Sequence, residues 1–120
     1  MTERDDQMKE YITWTGWGPR IVSGTVRCVD GLWFGVDKRG PREYVVTELT
    51  TGLAAHNASK PFTNTKAAWA YLTPELVERM RELLQAEPHK EQARKVRETY
   101  EADTRCESVY WDIYGEGRLD

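Results

Sequence analysis

Asp30-Gly31 stands between two runs rich in β-branched and aromatic residues, Arg20 to Val29 and Leu32 to Val36. Asp-Gly readily takes the positive φ values of a two-residue type I′ turn, whose twist matches that of the strands it joins. The dipeptide therefore fixes a β-hairpin in the first half of the chain, and the neighbouring segments read as additions to it. Upstream, Tyr11, Ile12 and Trp14 open an extended run that Gly16-Trp17-Gly18-Pro19 turns back. Gly24 interrupts the second run where a bulge or a close backbone approach fits. Downstream, a looser turn over Lys38-Arg39-Gly40-Pro41 leads into Glu43 to Leu49, and Thr50-Thr51-Gly52 reverses the chain into a short strand, Leu53 to His56. This predicts an antiparallel β-meander of about five strands over residues 1–62, with the polar stretch Met1 to Lys9 frayed.

From residue 63 the pattern becomes helical. Thr63-Asn64-Thr65 offers side-chain acceptors to cap a short helix at Lys66-Ala67-Ala68-Trp69. Thr73-Pro74-Glu75 combines an N-cap, an N1 proline and an early acid, and Leu76, Val77, Met80, Leu83 and Leu84 follow on one face of a helix over about 74–86. Pro88 restarts a helix whose apolar stripe is only Ala93, Val96 and Tyr100, so it is expected to be largely solvent-exposed. Thr104 with Glu107 forms a capping-box pattern ahead of Cys106, Val109, Tyr110, Ile113 and Tyr114, with a strand through Val109, Trp111 and Ile113 as the rival reading. The fold class is thus α+β, a meander followed by amphipathic helices over 63–120, and at 120 residues the chain reads as one domain.

Charge weighs against one class of partner. Seventeen Lys and Arg against twenty Asp and Glu, with a pI near 5.5, disfavour a nucleic-acid backbone as direct partner. No run is long and apolar enough to span a membrane and no secretory signal opens the chain, so a cytoplasmic protein is expected. Cys28 and Cys106 read as small buried hydrophobes rather than a disulfide in that setting. His56 and His89 fall in different elements and no zinc-ligand spacing occurs, so neither a metal nor a cofactor is expected. Glu48 and His56 flank one hairpin, an arrangement that suits acid–base work but is a weak signal in a chain with twenty carboxylates. No catalytic residue is assigned.

Adjacent bulky rings carry more information. Neighbouring residues of a strand point to opposite faces, so Trp33 and Phe34 cannot enter the same core. If the helices pack on one face, a second subunit or a ligand is left to cover the other; a helix or the N-terminal strand is the structural alternative. Arg20, Arg27, Arg39 and Arg42 lie in or beside the same sheet as Trp14, Trp17, Trp33 and Tyr44, a mixture suited to stacking and to phosphate or carboxylate contacts. The candidate binding residues are Trp14, Trp17, Arg20, Arg27, Trp33, Phe34, Arg42 and Tyr44.

In size and acidity, and in its Val45-Val46-Thr47 strand, Thr51-Gly52 turn and Thr65-Lys66-Ala67-Ala68 helix start, the chain resembles small accessory proteins of phages and mobile elements. Some of these are anti-CRISPR or other anti-defence proteins. The layout is also similar to that of the Thoeris anti-defence sponges, a likeness that implies an oligomer sequestering a cyclic nucleotide signal. It carries no ligand-binding residue over to this sequence. The expectation is a non-enzymatic, homo-oligomeric inhibitor that binds a nucleotide or a host defence protein. A small enzyme acting on nucleotides or proteins, and a regulator contacting nucleic acid, are the readings from other classes.

Overall fold

The computed structural model describes residues 8–115. Five strands, β1 (Met8–Thr15), β2 (Gly18–Val29), β3 (Leu32–Gly40), β4 (Glu43–Glu48) and β5 (Leu53–Ala54), pair antiparallel in sequence order. Four helices follow: α1 (Thr65–Ala70), α2 (Pro74–Leu83), α3 (Glu87–Ala102) and α4 (Glu107–Tyr114), the last entered through a 3-10 turn at Thr104–Cys106. The α+β meander-then-helices architecture read from the sequence is what the chain adopts. Asp30 and Gly31 both have positive φ, 49° and 89°, as the type I′ hairpin demands.

The sheet is a curled half-barrel because β2 is shared lengthwise. Its first part pairs with β1 and its second with β3, and the two ladders meet at Gly24, which is opposite both Lys9 and Asp37. A Cβ on Gly24 would lie 2.2 Å from the Val36 carbonyl oxygen, so this glycine marks the close backbone approach that its place in the strand suggested. The curl brings the outer edge of β1 to the β4–β5 turn, where the Trp14 N–H donates to the Gly52 carbonyl at 2.7 Å. The Ile12 N–H on the same edge donates to the Tyr100 hydroxyl of α3 at 2.9 Å. An edge that would otherwise display unpaired donors is closed by a turn and a helix.

Runs of consecutive buried strand residues decide how the layers stack. Tyr11, Ile12 and Thr13 in β1, Phe34 through Asp37 in β3 and Val45 through Glu48 in β4 are all buried. Alternation allows this only if both faces of the sheet are covered. Phe34, Val36 and Val46 join Ala68, Leu72 and Val77 in a cluster under α1 and α2. Tyr11, Ile12, Val26 and Leu49 join Val96, Tyr100, Cys106, Val109 and Tyr110 in a second cluster with α3 and α4, and Trp33 packs against it. Lys9 Nζ reaches Asp112 of α4 at 2.6 Å, and Gln92 Nε2 of α3 donates to the Thr51 carbonyl at 3.0 Å.

Several local readings need correction. Met8 and Lys9 are in β1 rather than frayed, while Met1 to Gln7 lie outside the described residues. Lys38-Arg39-Gly40 is not a turn: β3 continues through it with a register shift, and the reversal occurs at Pro41-Arg42, where Arg42 has φ 57°. The reason is Asp37, a carboxylate only 3% exposed, which accepts from Arg39 Nε and, at 3.0 Å, from its Nη2, holding Arg39 beside the strand. Residues 107–114 are helical, and Asp103 caps the preceding turn through Arg105 N at 3.0 Å in place of a Thr104–Glu107 box. α3 is exposed on one side only, for Val96 and Tyr100 are fully buried.

Candidate functional site

The eight candidate residues do not form one surface. Phe34 is 0% exposed and belongs to the α1–α2 core, so it touches no ligand. Trp33 and Trp14 are half-buried against the α3–α4 cluster. The expectation of an uncovered second sheet face is corrected in that α3 and α4 pack on it, while both rings stay partly exposed. Trp17 and Arg20 stay exposed at the tip of the β1–β2 hairpin, Trp17 at 99%. Arg27 and Tyr44 are on the side of the sheet that carries α1, and Arg42 is exposed in the β3–β4 turn.

That last group is enlarged by residues the sequence did not single out. The exposed Arg27 guanidinium lies 4.5 Å from the ring centre of Trp69 in α1, and Lys38 Nζ lies 6.0 Å from that of Tyr44. Tyr44 and Phe62 are joined by a reciprocal pair of 2.8 Å backbone hydrogen bonds, which ties the start of β4 to the connection leading into α1. Lys60 and Lys66 are exposed on that connection and helix. Residues 8–73 carry eight basic and five acidic side chains, and two of those acids, Asp37 and Glu48, are buried. Residues 74–115 carry seven basic and ten acidic. The sheet and α1 therefore present cations mounted on aromatic rings, while α2 to α4 present the excess acid. A cation over an aromatic face is attracted by the ring quadrupole, about 0.5–1 kcal/mol at an exposed site, and is held in place by it.

The groups that would be needed for acid–base work are committed elsewhere. Glu48 accepts from Thr50 N at 2.8 Å, Thr51 N at 3.1 Å and Thr51 Oγ1 at 2.8 Å, fastening the β4–β5 turn. His56 faces the Asn57 carbonyl through Nδ1 at 3.1 Å and accepts the Val46 N–H on Nε2 at 3.0 Å, so its proton sits on Nδ1. Both cysteines are free; Cys106 is buried as expected, which pushes its thiol up to about 11, whereas Cys28 is exposed on β2, contrary to the expectation of a buried residue. Among the described residues no cluster of His, Cys, Asp and Glu is placed to hold a metal ion.

His56 also yields a prediction. Burial beside Phe62 and Tyr71, with ring centres 4.6 and 5.7 Å away, holds the imidazole below its usual 6.5, and the positive charge of Arg39 adds to this. Protonating Nε2 would set a donor against the Val46 N–H. As pH falls the unfolded chain takes up the proton first, so His56 detracts nothing from stability above about 6.5 and destabilises progressively below it, until the folded chain protonates too. Urea midpoints at neutral pH and at mildly acidic pH are expected to differ less for His56→Gln than for the wild type. An equal difference would remove His56 from the account.

Among the described residues, concavities open to solvent include a groove and a shallower depression. A groove of about 140 Å³ between the β4–β5 turn, β5, α2 and the start of α3 is walled by Leu53, Ala54, Ala55, Met80, Leu83 and Leu84, with Glu48, Thr51 and His89 completing it. A wider, shallower depression of about 470 Å³ follows α2 alone along Pro74, Glu75, Glu78, Arg79 and Glu82. The first is well below the ~300–1,000 Å³ of a site that encloses a drug-sized ligand. The second is lined by three carboxylates and one guanidinium, which opposes a phosphate. No family model, no curated protein and no solved structure matches the chain.

Proposed function

We propose that this protein is a non-enzymatic binding protein that covers an acidic patch on a partner protein with the basic, aromatic-backed surface around Arg27 and Trp69. The observation that carries the reading is the Arg27 guanidinium stacked 4.5 Å over Trp69 on the outside of the sheet. Arg and Trp are enriched among residues that dominate protein interfaces, and a pre-positioned guanidinium loses less freedom on binding than a mobile one. Lys38 on Tyr44, with Arg42, Lys60 and Lys66 exposed nearby in the chain, extends the same sign of charge. Between the two binding modes that the anti-defence resemblance implies, blocking a protein fits this surface better than enclosing a nucleotide. A groove of about 140 Å³ is too small to enclose one within a single chain.

In biological terms the protein acts as an inhibitor of bacterial immunity by occupying a defence protein. The test is phage plating on bacteria that carry individual defence systems, with and without the chain expressed. Wild type is expected to restore plaques against at least one system, and Arg27→Ala and Trp69→Ala to lose the rescue while remaining folded. Rescue that survives both substitutions would refute the surface, and absence of rescue across the systems would refute the biological role. Release of an intact nucleotide from denatured wild-type protein would establish sequestration instead, and altered nucleotide products would establish an enzyme.

A further inference from the structure

Trp17 is the most exposed large apolar side chain among the described residues. It stands in the two-residue tip between β1 and β2, and that tip is braced: Thr15 Oγ1 accepts from Trp17 N at 3.1 Å and donates to the Gly18 carbonyl at 3.1 Å. Held out on an ordered ribbon, this indole is 99% exposed and packs against no core cluster among the described residues. Two of the other exposed large apolar residues, Leu53 at 36% and Leu83 at 52%, share the walls of the 140 Å³ groove. A cavity of about 150 Å³ accepts a benzene-sized ring, so the groove has the capacity for part of one aromatic side chain.

We propose that two copies of this chain form a closed two-fold dimer in which the Trp17 tip of each enters the groove between β5, α2 and α3 of the other. Position makes the exchange reciprocal. The Trp14 N–H is bonded to the carbonyl of Gly52, and Gly52 lies between Thr51 and Leu53, both in the groove wall. The projecting tip therefore springs from a strand that is bonded to the turn forming the groove's own wall, and its ring, 99% exposed, does not fill that groove. A projection next to a recess on one surface is self-complementary under a two-fold rotation: each fills the other's recess and the assembly closes without growing into a filament.

Charge agrees with this occupant. Arg20 is the only charged residue from Tyr11 to Val26, so the tip brings one positive charge and little else that would resist desolvation. Glu87 is exposed at the start of α3, two residues from His89 in the groove wall. The dimer uses neither Arg27 nor Trp69, so it stands or falls separately from the proposed function.

Sedimentation velocity over a range of concentrations tests this. Wild type is expected to reach twice the 13.9 kDa monomer mass, and Trp17→Ala and Leu83→Glu each to remain at the monomer mass with unchanged far-UV circular dichroism. An equimolar mixture of the two variants restores one of the two contacts, the Trp17 of one chain in the intact groove of the other, and is expected to associate where neither variant does alone. The proposal is overturned if wild type stays monomeric, if Trp17→Ala still dimerises, or if the mixture gains no mass. Dimerisation lost with Trp17→Ala but kept by Leu83→Glu would also overturn it, by placing the indole elsewhere.

Discussion

Gly35→Ala is expected to destabilise the fold by about 3 kcal/mol, the top of the usual range for overpacked cores. A Cβ there would lie 2.4 Å from Tyr11 Cζ and within 2.8 Å of both neighbouring ring carbons. The ring has no room to retreat. Tyr11 is 0% exposed and its hydroxyl donates to Asp37 Oδ1 at 3.2 Å, inside the ion pair with Arg39. Burial and the Asp37 carboxylate hold that phenol far above its ordinary range, so Tyr11 remains a neutral donor at any ordinary pH. Gly16→Ala is the matched control, because a Cβ at Gly16 meets nothing within 4 Å. Urea titration should show a large drop in midpoint for the first variant and little change for the second. A Gly35→Ala protein as stable as wild type would mean that Tyr11 does not lie across β3.

Tyr100 carries the second large effect because it is both core and edge partner. Its ring is 0% exposed and its hydroxyl accepts the Ile12 N–H. Tyr100→Phe keeps the packing but leaves a buried amide without an acceptor, which costs about 1–3 kcal/mol. Tyr100→Ala also empties the space of a buried ring and is expected to lose about 3–5 kcal/mol or more. The two variants separate hydrogen bond from volume. Amide exchange at Ile12 should accelerate in Tyr100→Phe beyond what global stability explains, whereas an unchanged rate would show that the β1 edge is closed by something other than α3.

The hairpin at Asp30-Gly31 was legible because its turn chemistry is local, and so was the second helix, whose Thr73 cap and Pro74 are adjacent. The extent of β3 was not. Lys38-Arg39-Gly40-Pro41 has turn composition, and only the fold reveals that Arg39 is held to the buried carboxylate of Asp37. The two-sided cover was present in the sequence as adjacent apolar pairs, Tyr11-Ile12, Trp33-Phe34 and Val45-Val46, which a sheet with one wet face does not need. Reading only the 33–34 pair as diagnostic turned a sign of two helical layers into a sign of a sticky surface. Val96 and Tyr100 look sparse among the charges of α3, yet two large residues on one face suffice to dock a helix whose other face is solvated.

Candidate residues were legible only where exposure follows from a local turn, as at Trp17 and Arg42. Arg27 was singled out as an arginine of the sheet, but its partner Trp69 comes from a helix in the other half of the chain. No spacing rule connects them. Trp69 alone among the five tryptophans lies in the helix that covers β3 and β4, and that placement depends on how α1 docks.

Through-space proton contacts in solution test the two-layer arrangement most directly. Phe34 ring protons are expected to contact the methyl groups of Ala68 and Val77, and Trp33 indole protons those of the α3–α4 cluster, with no exchange between the two sets. If both rings reported the same helices, or if Trp33 contacted no helix, the sheet would not be clamped between α1–α2 and α3–α4.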